Sequence, residues 1–573
     1  MNTYRNYILG VCLWAYGFSG VSQDTITFEW AATGYKNFVI QASNGESFTV
    51  HWGDGNSNPY TGAGSGTNVT PNHTYATAGD YTVVVVAGSM SCCFTYLMCN
   101  SELLSSLDVS KSTALTVLYC RYNSLSSLDV SKNTTLIELY CNDNSLSNLD
   151  VSNNKSLEVL SCGFNPLNSL DVSNNTVLRD LGCNGNSLTH LDVSNNKLLT
   201  DLDCSRNSLT HLDVSNNTAL RELRCYYNSL GSLDLSNNTS LRYLYCYDNS
   251  LNGLDLSNNM ALVYLYCDNN SLSNLDVRNS GWSSLQRLDC SYNSLISLDL
   301  SNNIVLEQLV CYNNSLISLD LSNNMALQQL DCYNNSLISL VLADNMVLKQ
   351  LDCFNNHLPL SDLYAASKVI STTNNKELGP QTLLPQTVLV GNMVDFSSQA
   401  KFGTPDTATV FVVTQNGSPA SASDYTEANG VFTFHTTGNY TITMTNEAIK
   451  SNASFPAEVS VDINVSDVGI DDVLTGRAPS VQIYPNPTTG KLRITYVGTG
   501  RALSAADGTR HDGTGHDGTG HAPSVQMYDV VGQVVGAYRI RPTEEETVID
   551  ISHLAAGLYF LKIDGKTVKV VKE

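Results

Sequence analysis

Residues 115–135, LTVLYCRYNSLSSLDVSKNTT, decide the fold because the chain repeats this pattern over nearly half its length. A cysteine returns every twenty-one residues between about 94 and 357, with one step of twenty-three near Gly281 and Trp282. The ladder comprises Cys99, Cys120, Cys141, Cys162, Cys183, Cys204, Cys225, Cys246, Cys267, Cys290, Cys311, Cys332 and Cys353. A fixed period of this size indicates a solenoid, whose coils bury their apolar sides only against one another.

Each coil reads L-x-x-L-x-C-x-x-N-S-L-x-x-L-D-[VL]-S-x-N. Leu115, Leu118 and Cys120 are expected to point inward and stack on their equivalents in the adjacent coils. The second half of the coil echoes the first, with Val130 in the place of Cys120. The pattern therefore predicts two short extended segments per coil, joined by two tight turns.

An asparagine three residues after the ladder cysteine recurs along the solenoid. This ladder contains Asn123, Asn144, Asn165, Asn186, Asn207, Asn228, Asn249, Asn270, Asn293, Asn314, Asn335 and Asn356. An Asn amide at the end of a strand can satisfy turn backbone groups that would otherwise be buried without partners. A structural role is therefore favoured over ligand binding.

The cysteine ladder invites a disulfide or metal interpretation, but strand geometry favours reduced thiols. Neighbouring strands lie ~4.8 Å apart with parallel side-chain vectors, whereas a disulfide needs Cβ atoms at ~3.8 Å that point toward each other. A buried free cysteine behaves as a small hydrophobe. The ladder contains no C-x-x-C pair, so zinc is not favoured.

The repeat resembles a leucine-rich repeat, with cysteine where that family usually has a third leucine. A 21-residue unit with a cysteine ladder resembles the internalins. The resemblance implies a mainly β fold, namely a leucine-rich repeat solenoid of 21-residue coils flanked by β-sandwich domains. It also implies a surface adhesin or host-interaction protein, without specifying a receptor.

Charge and length restrict the classes of partner. The chain has 573 residues, enough for several domains, and a formal net charge of −23. Nucleic acids and anionic membrane surfaces select clustered Lys and Arg, so neither is an expected partner.

The segments before the solenoid read as an export signal and a small β-domain. Residues 1–22 combine Arg5 with an apolar run that is too short to span a bilayer, as in a secretory signal peptide. The run Leu9-Gly10-Val11-Cys12 is only a weak match to a lipoprotein box. Residues 24–93 contain Trp52-Gly53-Asp54-Gly55 and His73-Thr74-Tyr75, which resemble a PKD-like sandwich. We expect this domain to cap the first coil, within a solenoid that spans residues 94–375.

The segments after the solenoid read as a sandwich, a linker and a sorting domain. A short closing helix is predicted over residues 361–368, with Ser361 and Asp362 as capping candidates. Alternating strands over 380–466 resemble an immunoglobulin-like sandwich, and residues 467–480 form a linker. Residues 481–573 resemble the C-terminal sorting domain of type IX secretion substrates in Bacteroidetes. This implies export, contact with the type IX machinery and surface attachment, and no transmembrane segment is expected in the mature chain.

No sequence motif indicates an enzyme, a cofactor or a metal site. The P-loop, H-E-x-x-H and G-x-S-x-G motifs are absent from the sequence. The repeated Asp129, Asp150 and Asp171 are interpreted as turn-capping residues, with calcium as the alternative. Histidines at every fifth position between His511 and His521 allow metal binding, but a flexible glycine-rich loop is favoured.

Tyrosines define the candidate binding site. Every tyrosine between 94 and 357 lies three or one before, or one or two after, a ladder cysteine, and seven fall in three consecutive coils. The predicted site comprises Tyr226, Tyr227, Tyr243, Tyr245, Tyr247, Tyr264 and Tyr266, with Arg224, Asp248 and Asp268 beside them. We expect these residues on the outward side of the cysteine-bearing strands, the concave surface if the family resemblance holds. The alternative is that tyrosine simply suits exposed strand positions.

The sequence therefore predicts a secreted, surface-attached adhesin that binds a protein or glycan on the solenoid. The alternative is a self-associating structural component of a surface layer or biofilm matrix.

Overall fold

The computed structural model describes residues 23–278, 284–342, 347–370 and 375–467, and the backbone of seven strands between Ser480 and Lys572. The predicted signal peptide, the insert at Gly281 and Trp282, most of the linker and the histidine-containing insert lie outside the described residues. The chain divides into two compact units. The first contains Met1–Leu295, Asp299–Tyr312 and Asn323–Gln329, and the second contains Ile296–Leu298, Asn313–Ser322 and Leu330–Glu573.

An antiparallel five-stranded sheet begins the first unit. In spatial order its strands are Ser57–Thr61, Ser47–His51, Asn72–Ala87, Thr25–Asn37 and Leu104–Asp108. Period-two burial along these strands places Phe28, Trp30 and Val85 in the core. A separate strand, Val39–Ala42, pairs antiparallel with Phe94–Met98 and so covers the edge of the first solenoid strand.

Each coil of the solenoid contributes one short strand just before its ladder cysteine. These strands are Phe94–Met98, Val117–Tyr119, Glu138–Tyr140, Val159–Ser161, Asp180–Gly182, Asp201–Asp203, Glu222–Arg224, Tyr243–Tyr245, Tyr264–Tyr266, Arg287–Asp289, Gln308–Val310, Gln329–Asp331 and Gln350–Asp352. Within the first unit, the strands up to Gln308–Val310 pair parallel and in register. The 21-residue period keeps equivalent side chains stacked from coil to coil.

The prediction of a second extended segment in every coil was wrong for most coils. Apart from Leu104–Asp108, only Ser318–Asp320 and Ser339–Val341 form strands in the second half among the described residues. Side chains there take over the backbone hydrogen bonding. Asp129 Oδ1 accepts the N–H of Ser131 at 2.9 Å, and the buried Asn133 amide donates to the Val109 carbonyl of the preceding coil at 2.9 Å. These contacts close turns instead of extending a strand ladder.

The second unit contains the closing helix, Leu360–Val369. The helix was predicted correctly, but its capping residues were not. The N-cap is Pro359, which provides no side-chain hydrogen bond, and Ser361 and Asp362 lie inside the helix. Asp362 instead accepts the N–H of Leu340 at 3.2 Å.

A short 3-10 helix, Ser397–Gln399, and the sandwich strands complete the described part of the second unit before residue 468. The strands are Lys376–Glu377, Gln381–Thr382, Gln386–Leu389, Met393–Asp395, Lys401–Phe402, Thr407–Ala408, Val410–Gln415, Ser418–Pro419, Tyr425–Ala428, Val431–Phe434, Gly438–Thr445 and Glu458–Ser466. Buried Phe432, Tyr440 and Val461 belong to the core between the two main sheets.

Seven further strands lie at the C-terminal end of the chain. Ser480–Tyr484, Lys491–Val497 and Glu546–Asp550 form a three-stranded sheet, and Val534–Arg539, Ser524–Tyr528, Gly557–Ile563 and Lys566–Lys572 form a four-stranded sheet. All pairs in these two sheets are antiparallel. No described helix in the chain is long and apolar enough to cross a membrane.

Candidate functional site

The solenoid strands present a strand face, defined here by the first and third residue of each three-residue strand. In Tyr243–Tyr245 the central Leu244 is buried, while the two tyrosines that flank it are half-buried and point to the opposite side. The next strand, Tyr264–Tyr266, repeats this arrangement around Leu265. The four strand tyrosines of the predicted site therefore share one face.

Stacking between coils fixes most of the site tyrosines. Tyr245 and Tyr266 stack with ring centroids 5.2 Å apart at 12°, and Tyr226 and Tyr247 stack at 4.4 Å and 6°. Tyr243 meets Tyr264 edge to face at 5.2 Å. Rings held in this way lose little conformational freedom when a partner binds.

Three of the predicted tyrosines follow the strands rather than lie within them. Each strand ends one residue before its ladder cysteine, so Tyr226, Tyr247 and Tyr227 follow the strand. The residue two places after the cysteine has a φ between 49° and 64° in every coil, and φ is 51° at Tyr227. This left-handed backbone turns the chain out of the strand direction. Tyr227 is 44% exposed, the most exposed member of the cluster.

Arginines surround these rings. The Arg206 guanidinium lies 4.5 Å from the centroid of Tyr227, Arg224 lies 5.6 Å from Tyr245, and Arg287 lies 4.9 Å from Tyr264. A guanidinium within about 6 Å of a ring face is attracted by the ring quadrupole. Arg224, which the sequence placed in the site, also pairs with Glu222 at 2.6 Å.

The structure adds a group of carboxylates that the sequence analysis did not single out. Asp180, Asp201 and Glu222 occupy the first position of three successive strands and are aligned in register, followed by Tyr243. Partial burial raises the pKa of Asp180, and the charge of Asp201 adds to this shift. The spacing could have revealed these acids, because each lies three residues before a ladder cysteine, as Tyr243 does.

The two predicted aspartates lie on the turn side of the cluster. Burial raises the pKa of Asp268 to about 7, and the nearby charges of Asp289 and Asp248 add to the shift. Burial likewise raises the pKa of Asp289, although hydrogen bonds from Ser291 oppose the rise. The turn side of the cluster therefore carries less negative charge at neutral pH than its number of carboxylates suggests.

The asparagine and cysteine ladders lie behind this face and support it. All thirteen ladder cysteines are buried thiols, and burial raises the pKa of Cys225 to about 12. The Asn144 amide donates to the carbonyls of Cys120 and Cys141, both at 3.0 Å. Its oxygen accepts the N–H of Leu125 at 3.0 Å. The Asn side chain therefore satisfies turn backbone groups, as predicted, and these groups belong to two consecutive coils. Within the described residues, no group of three or more His, Cys, Asp or Glu side chains is placed to hold a metal ion.

Comparison with solved structures gives the fold its context. The functional domain of InlJ from Listeria monocytogenes, which includes a cysteine ladder, is 27% identical, with a TM-score of 0.50, and the match covers 69% of this chain and 94% of that one. The fold is a leucine-rich repeat solenoid of the internalin J type. The internalin InlF of Listeria monocytogenes is 22% identical with a TM-score of 0.41, and the match covers 46% of this chain and 82% of that one. A leucine-rich repeat protein of Leptospira interrogans is 21% identical with a TM-score of 0.40, and the match covers 48% of this chain and 79% of that one.

The C-terminal part of this internalin-like chain matches a second family. Residues 482–573 match the secretion system C-terminal sorting domain. This domain indicates export through type IX secretion to the cell surface or the extracellular space. No curated protein matches the sequence.

Proposed function

We propose that this protein is a surface-attached adhesin that binds a protein or glycan partner through the strand face of its leucine-rich repeat solenoid. The sorting domain supports the extracellular location. The likeness to the functional domain of InlJ supports a functional role for the solenoid. The role is binding and not catalysis.

One observation carries this proposal, namely the concentration of ordered tyrosines in the coils of Cys225, Cys246 and Cys267. Strand propensity alone is a poor explanation, because three of the seven tyrosines, Tyr226, Tyr227 and Tyr247, lie outside the strands. Tyrosine supplies a large contact area with a polar tip at low entropic cost, and it is enriched at binding hot spots.

A matched pair of variants tests the site. Tyr226→Ser, Tyr245→Ser and Tyr266→Ser are combined in one chain. Tyr96→Ser, Tyr119→Ser and Tyr140→Ser are combined in the control, which removes a comparable set of contacting rings, at 5.7 Å and 4.5 Å, from earlier coils. Both chains are compared with wild type for binding to immobilised matrix proteins, mucins and envelope polysaccharides by biolayer interferometry.

The site variant should lose most of the binding, by about 2 kcal/mol or more for a hot-spot cluster, and the control should keep it. Circular dichroism establishes that both are folded. Unchanged affinity in a folded site variant would exclude the tyrosine cluster of these three coils as the binding site.

The alternative function is a self-associating component of a surface layer or matrix. Sedimentation velocity of the exported protein over a range of concentrations distinguishes the two. A monomer at all concentrations favours the adhesin, whereas polymers that grow with concentration favour the scaffold.

A further inference from the structure

Along one row of the strand face, the side chains change from acidic to aromatic to basic. The first residues of six successive strands are Asp180, Asp201, Glu222, Tyr243, Tyr264 and Arg287, aligned in register. With strands ~4.8 Å apart, five steps span roughly 24 Å. An acidic segment therefore lies directly beside the tyrosines, on a length that suits a protein interface.

Neighbouring groups cover part of the ring faces of these tyrosines. Tyr245 and Tyr266 cover one another's ring faces, as do Tyr226 and Tyr247, and Arg287 lies over Tyr264. The polarised C–H groups of a sugar ring pack against the negative face of an aromatic ring. Because one face of each of these rings is covered by a neighbouring ring or guanidinium, less aromatic face is open to a sugar ring. These features favour protein side chains over a glycan.

Charge specifies the partner further. Asp203 lies in the neighbouring row, between Gly182 and Arg224, so four carboxylates and the Arg224 guanidinium lie on three successive strands of this face. Arg224 is paired with Glu222 at 2.6 Å. Burial and the charges of Asp201 and Asp203 raise the pKa of Glu222 against the opposing effect of Arg224. Like charges crowded in this way are stabilised when a cation approaches.

We infer that the strand face docks a basic protein segment, whose Lys or Arg side chains lie over Asp180, Asp201, Asp203 and Glu222 while its apolar or amide side chains contact the tyrosine edges. This inference rests on the proposed function and specifies the partner of the same site. A second copy of this chain is a poor occupant, since a molecule with a net charge of −23 repels its own kind.

The test uses the exported protein and a phage-displayed library of random peptides as the probe. Peptides selected on wild type are synthesised, and their dissociation constants are measured on two variants. The strand-face variant combines Asp180→Asn, Asp201→Asn, Asp203→Asn and Glu222→Gln. The control combines Asp192→Asn, Asp213→Asn, Asp234→Asn and Asp255→Asn, four exposed turn aspartates whose removal changes the net charge equally.

Selected peptides should be rich in Arg and Lys. They should bind the strand-face variant about tenfold or more weakly, bind the control as wild type, and lose affinity as salt is added. Selection of neutral or acidic peptides, or equal weakening in both variants, would overturn the inference, and so would a preference for soluble glycans over the peptides. Loss of binding in the site variant, which lacks Tyr226, Tyr245 and Tyr266, together with full binding in the strand-face variant would overturn the basic partner but not the proposed function. Full binding in both the site variant and the strand-face variant would overturn the proposed function as well.

Discussion

The side-chain oxygen of Asn228 accepts the backbone N–H of Leu209, a residue of the preceding coil, at 2.9 Å. The Asn228 amide donates to the carbonyls of Cys204 at 3.1 Å and Cys225 at 3.0 Å. The amide also donates to the Tyr226 carbonyl at 3.4 Å. One side chain therefore serves four backbone groups in two coils, where a strand has ended and the ladder supplies no partners.

Replacing Asn228 by alanine should destabilise the solenoid by about 1–3 kcal/mol, because the Leu209 N–H loses its acceptor. Urea unfolding monitored by circular dichroism measures the loss. Asn237→Ala is the control, since Asn237 is exposed and makes one hydrogen bond at 3.2 Å, to the Ser215 carbonyl. Equal stability of the two variants would contradict the bridging role.

Cys225→Ser should destabilise the protein by about 1–3 kcal/mol, since a hydroxyl replaces a thiol in an apolar stack. The wild-type thiol should resist alkylation until the chain unfolds, because it is buried and its pKa is raised to about 12. Mass spectrometry of labelled peptides follows the reaction, with the half-buried Cys93 as an internal reference. Disulfide-linked peptides from adjacent coils would refute the buried-thiol assignment.

Asp268 should make the protein less stable as the pH rises, which is the opposite of the trend for a carboxylate in an ion pair. Its pKa is raised from 3.8 to about 7, so the folded state binds the proton more tightly than the unfolded state. The stabilisation is fully present below 3.8 and is lost as the pH rises through about 7.

Asp268→Asn should therefore be more stable than wild type by at least about 1 kcal/mol at about pH 8, and the difference should shrink at about pH 4. Thermal and urea unfolding at the two pH values measure it. A difference of the same size at both would mean that the Asp268 carboxyl titrates normally.

The exported protein should lack both ends of the chain. The signal-like segment over 1–22 and the sorting domain over 482–573 motivate this expectation. Intact-mass measurement of protein released from the cell surface should show the loss of the first ~22 residues and of a C-terminal piece that includes the sorting domain. Recovery of the full-length chain at the surface would show that neither end is removed.

A strict repeat made much of this molecule predictable from sequence. The 21-residue period fixes the register between coils, so Leu118, Cys120 and Asn123 must meet their equivalents. Their burial and hydrogen bonding followed from strand geometry and from the need to satisfy turn backbone groups.

Contacts between coils could not be read from the pattern of one coil. The sequence placed Tyr226 and Tyr227 on one strand surface, but the left-handed backbone two residues after each cysteine begins a turn at Tyr227. Whether two rings stack or meet at an edge depends on the spacing and rotation between coils, which no local pattern specifies. For the same reason, only the tertiary structure placed Asp180, Asp201 and Glu222 in one row with Tyr243, since residues 21 apart become neighbours only when the strands pair.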